Sequence, residues 1–246
     1  MPPAPVRAVL WDFDNTLVDT RARNRSVTRT ILAELTGRDP DEFPTLRTQD
    51  AYDRAIHRTQ DWQELYRREF HLGPELIRRA GRMWTEAQLG DRTRTSWFED
   101  IRRVVRALDR WPQAIVSLNT RANIVSALEE AGVGTAFDLV LGCEEVEHER
   151  QKPRPDGLLR CVETLIGRVR GSVFYVGDHP IDAECAANAN AALEAEGHPV
   201  RVVAIGASYG GVAASEPWPV EPPYRAGAPA EILDIVASAA DSRPRP

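Results

Sequence analysis

The sequence predicts an α/β fold: a Rossmann-like, doubly wound parallel sheet carrying an inserted all-α domain. Three observations carry that prediction. Five short apolar runs, rich in β-branched residues, recur along the chain and read as buried strands. Helix-periodic segments lie between them, as strand–helix–strand units require. The interval between the first and second runs is too long for a simple crossover and holds three or four helical patterns of its own.

The first run covers 6–11 and ends in a pair of acids, Asp12 and Asp14. In the long interval, Val27, Ile31 and Leu35 share one helical face, and Trp62, Leu65 and Tyr66 mark a second helix. Pro74 suits a first helical position, and Leu76, Ile77, Ala80, Trp84 and Ala87 follow at helical spacing. These patterns place a helical domain at 19–94, with the sheet-bearing core at 1–18 and 95–246. The chain re-enters the core through a helix bearing Phe98, Ile101, Val104, Val105 and Leu108. The remaining strands are expected at 113–118, 138–142, 172–177 and 200–205. Between them run two apolar stripes, one of Ile124, Val125, Leu128 and Ala131, the other of Ile181, Cys185, Ala186, Ala189 and Leu193. The Pro-rich stretch 215–229 reads as an irregular surface loop, and a last helix is expected at 230–239, before a frayed tail.

Composition narrows the function. With 42% hydrophobic and 28% charged residues, the 246-residue chain can bury a core and stay soluble. No apolar run approaches the length of a membrane helix, and the N-terminus lacks the features of a secretory signal. Cys143, Cys161 and Cys185 show neither close pairing nor metal-ligand spacing. They read as reduced core thiols in a cytoplasmic protein. A net charge of −6 argues against nucleic acid as the main partner, yet leaves room for a local basic pocket that binds an anion. Of the 31 basic residues, only Lys152 is a lysine. An ammonium is a compact point charge that the planar guanidinium does not replace in a tight site.

In an open α/β sheet, ligands bind beyond the carboxyl ends of the strands. At those ends stand Asp12 and Asp14; then Ser117, Leu118, Asn119 and Thr120; then Gly177, Asp178 and Asp182; and Lys152 lies between the third and fourth strands. Clustered carboxylates repel unless a cation neutralises them. Mg²⁺ fits, because it takes oxygen ligands and completes its shell with water and substrate phosphate. One carboxylate could then serve as a nucleophile and another as a proton shuttle. A lysine, a hydroxyl and backbone N–H groups could hold the other phosphate oxygens. Against this stand ordinary readings: helix-capping acids, a serine at a strand end, a solvated lysine. Arg21, Arg23 and Arg25 read as a solvated helical face, and Tyr52, Trp62, Tyr66, Phe70 and Trp84 as the core of the inserted domain.

Four segments decide between these readings. "DFDNT", "AIVSLN", "QKPRP" and "GDHPID" occur in that order, each at or near an expected strand end. Together they resemble the four motifs of the haloacid dehalogenase-like superfamily, in its phosphatase branch. The position of the insertion, between the first and second motifs, resembles the C1 cap of phosphoglycolate phosphatase-like members. The resemblance implies an aspartyl-phosphate mechanism. Asp12 would be the nucleophile and Asp14 the acid/base. Mg²⁺ would be held by the Asp12 carboxylate, the Asp14 carbonyl and Asp178, with Asp182 acting directly or through water. Ser117, the Leu118 N–H and Lys152 would bind the phosphate, and the cap would close over a small phosphorylated substrate. Leu118 departs from the family, whose members often carry a small or polar residue there. Asn119 sits one position late. His179 stands where Ser or Thr is more usual, and either tunes the outer shell of the metal or caps the next helix.

Other functions weighed are a dehalogenase, against which Asp14 counts; a phosphomutase, which would keep all four motifs; a receiver domain, which is shorter and uncapped; and a non-catalytic binding module, which would be free to lose Asp12, Asp14 or Lys152. A monomer and a homodimer are both compatible with the sequence.

Overall fold

The structure, a computed structural model, describes residues 4–59, 61–211 and 217–241. The chain starts in β1 (Val6–Trp11), touches a short β2 (Val18–Asp19), and runs through α1 (Arg21–Thr36), α2 (Pro44–Arg47), α3 (Gln49–His57), α4 (Trp62–Glu69) and α5 (Pro74–Gly90). A short β3 (Ser96–Trp97), which pairs with β2, and α6 (Ile101–Ala107) lead to β4 (Gln113–Val116), α7 (Arg121–Glu130) and β5 (Leu139–Leu141). Then come α8 (Asp156–Leu165), β6 (Gly171–Gly177), α9 (Pro180–Ala195), β7 (Val200–Ala207), β8 (Tyr224–Ala226) and α10 (Pro229–Asp241). Two compact units result: Met1–Val18 with Trp97–Pro246, and Asp19–Ser96.

The first unit is a six-stranded sheet in the order β5-β4-β1-β6-β7-β8, every pairing parallel. Strands buried on both faces alternate their side chains between two layers. Val9 and Trp11 of β1 join one core with Ile101, Val104, Ile124, Leu128, Ile232 and Val236 from α6, α7 and α10. Ala8 and Leu10 join the other, with Leu158, Cys161 and Val162 of α8 and Cys185, Ala186 and Ala189 of α9. The sheet order reverses at β1: β4 and β5 were added on one side, β6 to β8 on the other. In such a sheet the crevice forms at the carboxyl end of this strand.

The Pro-rich stretch is not simply a loop. Tyr224–Ala226 extends the sheet as β8 beside β7, and Trp218 is buried in the second core with the Arg225 guanidinium over its ring. Residues 215 and 216, and the tail beyond 241, lie outside the described residues. A three-residue strand is too short to show a period, and an edge strand tolerates the prolines that precede it. Cys161 and Cys185 are buried, whereas Cys143 is partly exposed and so is not a core thiol. Among the described residues, no helix is long and apolar enough to cross a membrane.

The second unit packs α1 to α5 around Val27, Ile31, Leu32, Leu46, Leu65 and Ile77. Tyr66 stacks edge-on against Phe70 at 5.3 Å and Trp62 against Tyr66 at 5.6 Å, so these aromatics fill a core. The arginines of α1 are committed to the protein: Arg21 to Asp19, Arg23 to the Thr93 carbonyl, and Arg25 to the carbonyls of Leu46 and Arg47.

One buried polar link ties the first unit together. Trp11 Nε1 donates to Gln113 Oε1 at 2.9 Å, and Gln113 Nε2 donates to the Val105 carbonyl at 2.8 Å. Gln113→Met keeps the volume but orphans both partners. It should destabilise the protein by about 2 kcal/mol and lower Tm by roughly 4–8 °C in a thermal melt.

Candidate active site

Asp12 follows β1 directly. Its N–H donates to the Val176 carbonyl at 2.8 Å, so the β1–β6 pairing fixes its backbone, and its side chain is buried. Asp178 follows β6 and therefore stands beside it. The next turn is set by local sequence. His179 is the N-cap of α9, Pro180 is the first helical residue and Asp182 the third. His179 Nδ1 accepts from the Ile181 N–H at 3.3 Å, and Asp182 Oδ2 accepts from the His179 N–H at 3.1 Å. This reciprocal capping box turns the Asp182 carboxylate back toward the strand end. A methyl group on Gly177 would collide with that carboxylate. His179 thus caps α9.

Lys152 enters from the β5–α8 connection. Its Nζ donates to Asp12 Oδ1 at 2.6 Å and to Asp182 Oδ1 at 2.8 Å, with all three side chains buried. Tyr175, two residues before the end of β6, also donates to Asp182 Oδ1, at 2.8 Å. Thr16 Oγ1 lies 3.4 Å from both Asp12 Oδ2 and Asp178 Oδ1. The turn that brings it there passes through Asn15, whose φ of 58° is a left-handed conformation that asparagine tolerates. Tyr209 steadies the turn by donating to the Thr16 carbonyl at 2.7 Å.

The electrostatics are unbalanced. Oxygens of Asp12, Asp178 and Asp182 all lie within 4.8 Å of one another, facing one ammonium. Burial pushes the Asp12 carboxyl up to about 7; Lys152 opposes this, while Asp182 and Asp14 reinforce it. Burial, then the charges of Asp12 and Asp182, raise Asp178 well above the usual carboxylate range. Burial works to lower the Lys152 pKa, but Asp12 and Asp182 outweigh it and hold the ammonium charged. An all-oxygen cluster with surplus negative charge fits a hard divalent cation such as Mg²⁺.

The other sequence-derived candidates lie around this cluster. The Asp14 carboxylate is not part of the triple of acids; it faces Asn119, whose Nδ2 donates to its two oxygens at 3.2 and 3.1 Å. Ser117 and Leu118 lie just past β4, which ends at Val116, earlier than the expected 118. With Lys152 they line one small cavity. The Ser117 hydroxyl accepts from the Asn119 N–H at 3.1 Å rather than engaging Asp12. Four residues that sequence reasoning left without a role thus sit at the site: Thr16, Asn119, Tyr175 and Tyr209.

A family profile for haloacid dehalogenase-like hydrolases matches residues 9–195. No curated protein sequence matches the chain significantly. Solved structures do. A protein from Lactobacillus plantarum, provisionally assigned as a phosphoglycolate phosphatase, superposes with a TM-score of 0.74 at 16% identity, over 94% of this chain and 99% of that one. A haloacid dehalogenase-like hydrolase from Bacteroides fragilis, also a provisional assignment, gives 0.69 at 24% identity, over 89% and 95%. A superfamily hydrolase of subfamily IA from Geobacter sulfurreducens gives 0.61 at 20% identity, over 95% and 97%. At these identities the structures share the fold.

The raised Asp12 pKa has a measurable sign. Between its unfolded value near 4 and about 7, the folded state binds the proton more tightly. Its contribution to stability therefore falls as pH rises through that window and levels off above it. In EDTA, Asp12→Asn should gain stability relative to wild type from pH 5 to 7, by at most about 1.4 kcal/mol per pH unit, with little change above pH 8. Urea melts at each pH check this.

Proposed function

We propose that the chain, which belongs to the haloacid dehalogenase-like hydrolase family, is a Mg²⁺-dependent phosphatase acting on a small phosphorylated metabolite. One observation carries the reading: the buried Lys152 ammonium set between Asp12 and Asp182, with Asp178 alongside. Asp12 and Asp178, the Asp14 carbonyl and, directly or through water, Asp182 would hold Mg²⁺. When bound, the ion offsets the surplus negative charge and withdraws charge from phosphoryl oxygens.

Asp12 attacks the phosphorus through a carboxylate oxygen, and the bond from phosphorus to the leaving oxygen breaks. Asp14 gives that oxygen its proton. The product is an aspartyl-phosphate on Asp12. Asp14, now ionised, takes a proton from the water that attacks this phosphorus, which releases phosphate and restores the Asp12 carboxylate. Lys152 spends two of its three N–H groups on Asp12 and Asp182. The third remains a donor for a phosphoryl oxygen. Ser117 and the Leu118 N–H complete the phosphate cradle. The provisional phosphoglycolate phosphatase assignment of the Lactobacillus plantarum structure agrees with this reaction type.

Hydrolysis of p-nitrophenyl phosphate tests the reading. Wild type with Mg²⁺ should turn over, excess EDTA should abolish turnover, and Asp12→Asn should lose at least roughly 10³-fold in kcat. Absence of turnover combined with slow labelling of Asp12 by a sugar bisphosphate would replace the phosphatase with a phosphomutase. Absence of both in folded, metal-binding protein would favour a binding module.

A further inference from the structure

We infer that Asn119 is a positioning residue for Asp14, its side-chain amide clamping both carboxylate oxygens; this rests on the phosphatase reading, in which Asp14 is the acid/base. The orientation of the amide follows from its neighbours. The Thr120 N–H can only donate, and it lies 2.8 Å from Asn119 Oδ1. Asn123 Nδ2 approaches the same atom at 3.2 Å. That end of the side chain is therefore the oxygen. The other end is the NH₂, and it meets the two Asp14 oxygens at 3.2 and 3.1 Å.

The backbone of Asn119 is pinned as well. Its N–H donates to Ser117 Oγ at 3.1 Å, and its carbonyl accepts from the Cys143 N–H at 2.9 Å. Asp14 stands in the turn after β1, where an isolated bridge pairs it with Val18. The Asn119 amide reaches across from the end of β4 and engages both oxygens of its carboxylate. Proton transfer needs close alignment of donor and acceptor, and a misplacement of about 1 Å can cost 10²-fold.

The test is leaving-group dependence. A basic alkoxide leaves poorly unless protonated, whereas p-nitrophenolate leaves without help. The kcat/KM reports events through the first phosphoryl transfer, so the later attack of water does not enter. Asn119→Ala removes the clamp. Asn119→Asp keeps an oxygen for Thr120 and Asn123, and so the local fold, but turns a carboxylate on Asp14. For both variants, kcat/KM on glycerol phosphate should fall roughly 30- to 100-fold, against less than about 3-fold on p-nitrophenyl phosphate. An equal fall on both esters would overturn the inference and leave Asn119 a structural residue in an intact phosphatase. Full activity of the variants on the alkyl ester would overturn it too. A wild type that hydrolyses neither ester would overturn the phosphatase reading itself, and the inference with it.

Discussion

One contact organises this site: a single buried ammonium shared by two buried carboxylates. Taking charges out of water is costly, and geometry and further hydrogen bonds offset that cost only in part. Asp182 receives Lys152, Tyr175 and the backbone of His179, and Asp12 receives Lys152 and the Thr16 hydroxyl at longer range. A guanidinium would bring a flat, five-donor fork to a position that accommodates a point charge. This accounts for the use of lysine once, here, in a chain that otherwise relies on arginine.

The sheet makes the contact possible. Because β1 lies between β4 and β6, the residues that follow these three strands come to one crevice. Asp12 and Asp178 become neighbours through strand register alone. Lys152 needs the longer β5–α8 connection to reach them from the side. The order of the motifs along the chain therefore says little about their spacing in the fold, and the parallel register says nearly all.

Much of this was legible in the sequence. The apolar runs carry a strand signal because they are buried on both faces. The acids stand out because charges rarely follow such runs in a row. What was hidden has physical reasons. Asn119 reads as one polar residue among several after a strand, and nothing local reveals that its amide spans to Asp14, 105 positions away in the chain. Tyr175 lies inside an apolar strand and reads as core; its ring is core, and only its hydroxyl reaches Asp182. Tyr209 acts through the Thr16 backbone, a target that no side-chain pattern announces. β8 has three residues and no period to detect.

The capping box at the start of α9 has a wider consequence. Asp182 caps the start of a helix, anchors a lysine and stands among the candidate metal ligands, all with two oxygen atoms. Its neighbour Gly177 is constrained by the same carboxylate. Residues 177–182 thus form one module, in which the placement of a candidate metal ligand and the capping of α9 depend on the same carboxylate. A change to Gly177 or Asp182 therefore alters the helix start and the acidic cluster together.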